Sequence, residues 1–125
     1  MRMLQLSLLI CLQFGLMAQE KEQISEAFSK GDAEIIAGYF NSAVEMNLPQ
    51  HNGIFQKEQA GMILKKFFSK HPPNSFEVKH EGGSKRKSSF HIGRLESNNA
   101  EFRTYLIYNT VQGKIQIIEL RIEEE

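Results

Sequence analysis

Past Asn74 the chain has little choice but to form an antiparallel meander. Four stretches of strand composition follow one another, about Phe76 to Glu81, Ser88 to Glu96, Ala100 to Val111 and Lys114 to Glu123. The turn signals Gly82 and Gly83, Ser97 to Asn99, and Gln112 and Gly113 separate them. Strands joined by connections this short reverse direction at each one. The resulting sheet needs an apolar cover, and only the first half of the chain can provide it.

That half carries helical periods. Ile24, Ala27 and Phe28 recur at helical spacing, Gly31 reads as a stop and Asp32 as the cap of a second helix bearing Ile35, Ile36, Tyr39 and Phe40. From Ala43 to Leu48 the apolar residues Val44, Met46 and Leu48 alternate with polar ones, which predicts a strand closed by Pro49. His51, Asn52 and Gly53 read as a turn. Ala60, Ile63, Leu64, Phe67 and Phe68 then predict a third helix over Lys57 to Lys70, ended by Pro72 and Pro73, with Lys65, Lys66 and Lys70 on a solvated face. Helices followed by a meander predict an α+β domain, its helices packed on a strongly curved mixed or antiparallel sheet that forms a cone with a candidate pocket.

Residues 1 to 18 differ from the rest. Arg2 is their only charge, and the apolar run from Leu4 to Met17 is shorter than the ~20 residues a membrane span needs. Ala18 suits cleavage before the polar run that starts at Gln19. We read this segment as a signal peptide, residues 19 to 125 as one domain, and the protein as exported, periplasmic or secreted, with no membrane association after cleavage. The 15 basic and 15 acidic residues of the whole chain balance, and losing Arg2 leaves a net charge of −1. That balance argues against nucleic acid as a partner, which calls for a basic excess. Cys11, the single cysteine, leaves with the leader, so the domain must hold without a disulfide. His51, His71, His80 and His91 show no HxH or HExxH spacing, so we expect neither metal nor cofactor.

Matching apolar residues across the hairpins gives a register in which Phe76, Val78, His80, Phe90, Ile92, Tyr105, Ile107, Ile118, Leu120 and Ile122 share the inner face. His91, Thr104, Phe102, Leu106, Tyr108 and Ile117 then fall on the reverse, whose half-apolar character suggests subunit contact. In this reading the polar residues that face the pocket are His80, Tyr105 and the neighbours Arg94 and Arg103, with Tyr39 from the second helix. The two arginines can clamp a carboxylate or phosphate at the cone mouth, or pair with Glu101 and Glu96 as surface ion pairs. His80 reads as a general base or as a satisfied histidine at a strand edge, and Tyr105 and Tyr39 read as catalytic acids or as core aromatics.

The order of these elements resembles the nuclear transport factor 2-like superfamily, an α+β cone of cystatin-like shape. Within it, the leader, the Gly31-Asp32 break and the run from Phe102-Arg103-Thr104-Tyr105 to Ile118-Glu119-Leu120-Arg121-Ile122 resemble the bacterial exported family called domain of unknown function 4783. The resemblance covers residues 20 to 123. It implies the cone fold, a homodimer through the sheet and no established activity. Superfamily members include a ketosteroid isomerase, dehydratases and an epoxide hydrolase, which place a carboxylate beside a tyrosine or histidine inside the cone. The register offers no inward carboxylate of that kind, with Glu96 and Glu101 at strand ends. The expected function is therefore non-catalytic binding of a small molecule, peptide or protein through the pocket or the sheet face. The alternatives are a lyase, isomerase or hydrolase using Tyr105 or His80, and a structural dimer with a filled cone.

Overall fold

A computed structural model describes residues 18–83, 88–98 and 100–125. The leader expectation, apart from Ala18, lies outside the described residues, as do Cys11 and the basic run Lys85 to Lys87. Helix α1, described over 18–30, ends where Gly31 takes φ +68°, a left-handed conformation that suits glycine. This lets the Asp32 N–H donate to the Ala27 carbonyl at 2.8 Å. Asp32 in turn caps α2 (Ala33–Gly38), its Oδ1 accepting from the Ile35 N–H at 3.2 Å.

The remaining elements are β1 (Phe40–Leu48), β2 (His51–Gln56), α3 (Lys57–Lys70), β3 (Pro73–Gly83), β4 (Ser89–Ser97), β5 (Ala100–Val111) and β6 (Lys114–Glu124). They form one mixed sheet of order β2-β1-β6-β5-β4-β3, in which only β1 and β6 run parallel. Three helices pack on its concave face, which confirms the α+β expectation and the helix at Lys57 to Lys70. Two local readings need correction. Phe40 opens β1 instead of closing a helix, because α2 stops at Gly38. His51 to Gly53 belong to β2, since the two-residue turn at Pro49 and Gln50 pairs Leu48 with His51.

The larger correction is to the face of the sheet. The hairpin registers Phe90 with Ile107, Ile92 with Tyr105 and Arg94 with Arg103 are as the sequence suggests. Two extra residues reverse what they imply. In β3, Val78 pairs with Gly93 but His80 pairs with Ile92, so Lys79 is a bulge. In β6, Ile117 pairs with Tyr108 but Glu119 pairs with Ile107, so Ile118 is a second bulge. Side chains alternate strictly only without such insertions. The bulge at Ile118 lets Ile115 and Ile117 share one face with Leu120 and Ile122, all four buried. Ile117, Leu120 and Ile122 lie opposite Tyr108, Leu106 and Thr104 on β5, which are buried with Phe102 on the same face, while Arg103, Tyr105 and Ile107 look outward.

Phenylalanines occupy the space between helices and sheet. The Phe28 ring stacks on Phe76 with centroids 4.9 Å apart, and Phe67 meets Phe102 edge-on at 5.0 Å. Phe76 reaches Phe28 only because Gly93, its neighbour across the hairpin, lacks a side chain: a β-carbon there would lie 2.4 Å from the Phe76 ring. Gly93→Ala should therefore destabilise the domain by about 2 kcal/mol. Chemical denaturation measures this, and Phe76→Leu in the same chain should recover part of the loss. Unchanged stability of the single variant would contradict this packing.

Candidate functional site

The uncovered face of the sheet can be read across the strands. One row runs Gly82, Phe90, Ile107, Glu119, Glu45 and Ile54; the next runs His80, Ile92, Tyr105, Arg121, Asn47 and Asn52; a third holds Glu77, Arg94, Arg103 and Glu123. Phe90, Ile92, Tyr105 and Ile107 thus form one apolar block on adjacent strands. Phe90 keeps 39% of its surface exposed and the other three are half-buried. Water reaches this block because the helices lie on the opposite side.

Four of the five residues singled out from the sequence, His80, Arg94, Arg103 and Tyr105, stand on this outer face and not inside the cone. His80 is exposed. Each arginine here has a carboxylate. Arg94 donates to Glu101 at 2.5 Å and lies 3.6 Å from Glu96; Arg103 donates to Glu125 at 3.2 Å; Arg121 donates to Glu119 at 3.3 Å. The Arg121 guanidinium also lies over the Tyr105 ring, 5.6 Å from its centroid. The guanidinium groups that would clamp an anion are thus engaged by the chain's own carboxylates, and the block has a charge-balanced border.

Tyr39 is elsewhere. It lines an open groove of about 1100 Å³ between α1 and the β5-β6 turn, with Gln23, Glu26 and Lys114. Its hydroxyl donates to the Gln23 side-chain carbonyl. Desolvation, with the Glu20 carboxylate nearby, raises its pKa, so the phenol stays protonated. Glu20 itself accepts from the Ile115 N–H at 3.0 Å, because β6 extends past the start of β1 and that amide has no strand partner there.

The concave face holds a polar cluster that the simple alternation conceals. The bulge at Lys79 turns Glu81 inward, across from His91 on β4. His91 is 5% exposed; its Nε2 lies 3.1 Å from the Tyr108 hydroxyl and 3.3 Å from Glu81 Oε2. A neutral ring with its hydrogen on Nε2 faces both oxygens without repulsion. Burial lowers the His91 pKa, the Glu81 carboxylate opposes that shift and Lys21 adds to it. The Gln112-Gly113 turn sets Tyr108 opposite Ile117, but a pairing does not say which face the pair shows, so the sequence carried no sign that Tyr108 turns inward. Nearby in the same face, Thr104 is 1% exposed and its Oγ1 has no partner among the described residues.

Two outcomes follow. Thr104→Val, which keeps shape and removes an unsatisfied hydroxyl, should stabilise the domain by about 1 kcal/mol in denaturant titration; a loss of that size would mean that the hydroxyl is bonded. Because the folded-state pKa of His91 is depressed, its contribution is complete above the ordinary value of 6.5 and is lost as pH falls through the lower folded value. Stability curves of the parent should decline on acidification through this window more steeply than those of His91→Phe, and parallel curves would contradict it.

Comparison with known proteins bears on this arrangement. Residues 21–123 match the family described as a domain of unknown function, DUF4783. No curated protein matches significantly. A DUF4783 family protein from Bacteroides fragilis YCH46 is 32% identical with a TM-score of 0.76, over 82% of this chain and 96% of that one. One from Bacteroides uniformis ATCC 8492 is 30% identical with a TM-score of 0.77, over 83% and 95%. An NTF-2 like protein of unknown function from Burkholderia xenovorans LB400, 16% identical, has a TM-score of 0.61 over 91% and 86% and shares the fold alone. The cone architecture and the family match over nearly all of the described residues together make this chain a member of the DUF4783 family, with an NTF2-like fold.

Proposed function

We propose that the protein is an exported, non-catalytic binding domain that works through the uncovered face of its sheet, with a second copy of itself as the partner. The observation that carries this reading is the contiguous block of Phe90, Ile92, Tyr105 and Ile107 on the side away from the helices. An apolar block ringed by polar residues is the usual anatomy of an interaction surface. Its border supports self-association in particular. Arg94, Arg103 and Arg121 are each paired within the chain, so an identical border brought against it by a two-fold axis meets little like-charge repulsion.

The interior supports binding at the surface over chemistry in the cone. His91 and Tyr108 are almost wholly buried and direct their polar atoms at each other and at Glu81. Phe28, Phe67, Phe68 and Phe102 occupy the space beside them. Export rests on the apolar leader and its end at Ala18.

Sedimentation and light scattering on residues 19–125 test the reading. The parent should be a dimer, and Phe90→Glu or Ile107→Glu should give a folded monomer with an unchanged circular dichroism spectrum, since both side chains lie outside the core. A parent that stays monomeric at roughly 100 µM would overturn it. The exported protein should begin at Gln19 by N-terminal sequencing.

A further inference from the structure

We propose that the cavity between α3 and the β1-β2 turn binds a small carboxylic acid with an apolar tail. The site lies apart from the outer face, and neither reading depends on the other. The spacing along α3 builds it. Ile63, Lys66, Phe67 and Lys70 recur at intervals of three and four, so they share one side of the helix, and the turn at Pro49 and Gln50 stands against that side. The cavity between them measures about 250 Å³. That is below the roughly 300–1,000 Å³ of pockets for drug-sized ligands, so its occupant is small.

The cavity has an apolar floor and a cationic rim. Leu48, Ile63 and Phe67 are core residues that also line it. The His71 ring, with centroids 5.1 Å from Phe67 and 4.9 Å from Phe102, extends the same wall. At the rim, Lys66 and Lys70 are exposed one helical turn apart, and among the described residues no carboxylate lines the cavity with them. Like charges at this spacing repel each other. Arg94, Arg103 and Arg121 on the sheet each have a carboxylate, whereas Lys70 donates to the Gln50 side-chain carbonyl at 3.1 Å. That bond occupies the oxygen of Gln50 and leaves its amide nitrogen to donate beside the two ammonium groups. A carboxylate at the rim takes charge-assisted hydrogen bonds from both lysines and relieves their repulsion. Its alkyl tail covers the floor, which removes apolar surface from water. In so small a cavity the charged head must be compact, which favours a carboxylate over a phosphate ester. Lys70 is partly committed to Gln50 and to the carbonyl end of α3, so Lys66 is the stronger contact.

Octanoate titrated into residues 19–125 at low salt, followed by amide chemical shifts, tests the site. The amides of Gln50, Ile63, Phe67 and Lys70 should move together with a Kd below about 1 mM, and those of Phe90 and Ile107 on the outer face should stay in place. Lys66→Gln should weaken binding roughly fivefold, and Lys66→Gln with Lys70→Gln more than roughly tenfold. Both lysines are exposed, so neither change threatens the fold. Lys65→Gln removes the adjacent charge, which does not line the cavity, and should leave the affinity within about twofold. Octanol, with the tail and no charge, should bind at least roughly tenfold more weakly, and acetate, with the charge and no tail, should not saturate at about 10 mM. The proposal is overturned if octanoate moves none of the cavity amides at about 5 mM, or if the double variant binds as the parent does. It is equally overturned if octanol, acetate or inorganic phosphate matches octanoate, or if Lys65→Gln costs as much as Lys66→Gln.

Discussion

Lys79 and Ile118, the residues inserted into the ladders of β3 and β6, determine which side of the sheet becomes the core. A strand with period two presents one set of side chains to each face, and an insertion exchanges the sets beyond it. Without the bulge at Ile118, β6 would show Ile115 and Ile117 to one face and Leu120 and Ile122 to the other, and the helices could cover only half of them. With it, all four are buried, and β5 sets Thr104, Leu106 and Tyr108 opposite Ile122, Leu120 and Ile117. The bulge at Lys79 acts in the same way on the opposite flank, sending His80 out and Glu81 in. Both features of functional interest, the outward apolar block and the inward His91 cluster, are consequences of these two insertions.

The same constraint explains why two tight packing demands meet at Gly93. It lies on the concave face beside Thr104, diagonally across the hairpin from Phe76, whose ring passes over it while stacked on Phe28. Aromatic filling here is dense, and a polar group such as the Thr104 hydroxyl finds no partner within it. The polar residues that remain satisfied on this face are those at the open end, where Glu81 keeps its contact with water and can neutralise a neighbour. The outer face shows the complementary arrangement, with charges paired around a block that no part of the described chain covers.

How much of this was legible in the sequence follows from the physics of each element. The helix at Lys57 to Lys70 was, because its five buried residues recur at the helical period and two prolines end it. The Gly31-Asp32 break was, because stop and cap are local signals. The α+β cone followed from the order of elements. Face assignment was not legible, because a bulge leaves no compositional mark and β4, β5 and β6 are apolar enough on both sides to satisfy either parity. Arg94, Arg103, Tyr105 and His80 were correctly placed relative to β4 and β5 neighbours only in part, and on the wrong side of the sheet as a group. Strand β2 was missed because His51, Asn52 and Gly53 carry turn composition, although Pro49 and Gln50 already make the turn.

The parity of β5 decides which face is core and which is open, and thiol labelling reads it directly. Residues 19–125 contain no cysteine, so in that span single substitutions at consecutive positions from Phe102 to Tyr108 report one site each. Cysteines at 103, 105 and 107 should react at once in dilute solution and become protected as protein concentration rises, while those at 102, 104, 106 and 108 should react only on unfolding. Immediate reaction at the even positions, with slow reaction at the odd ones at every concentration, would contradict it.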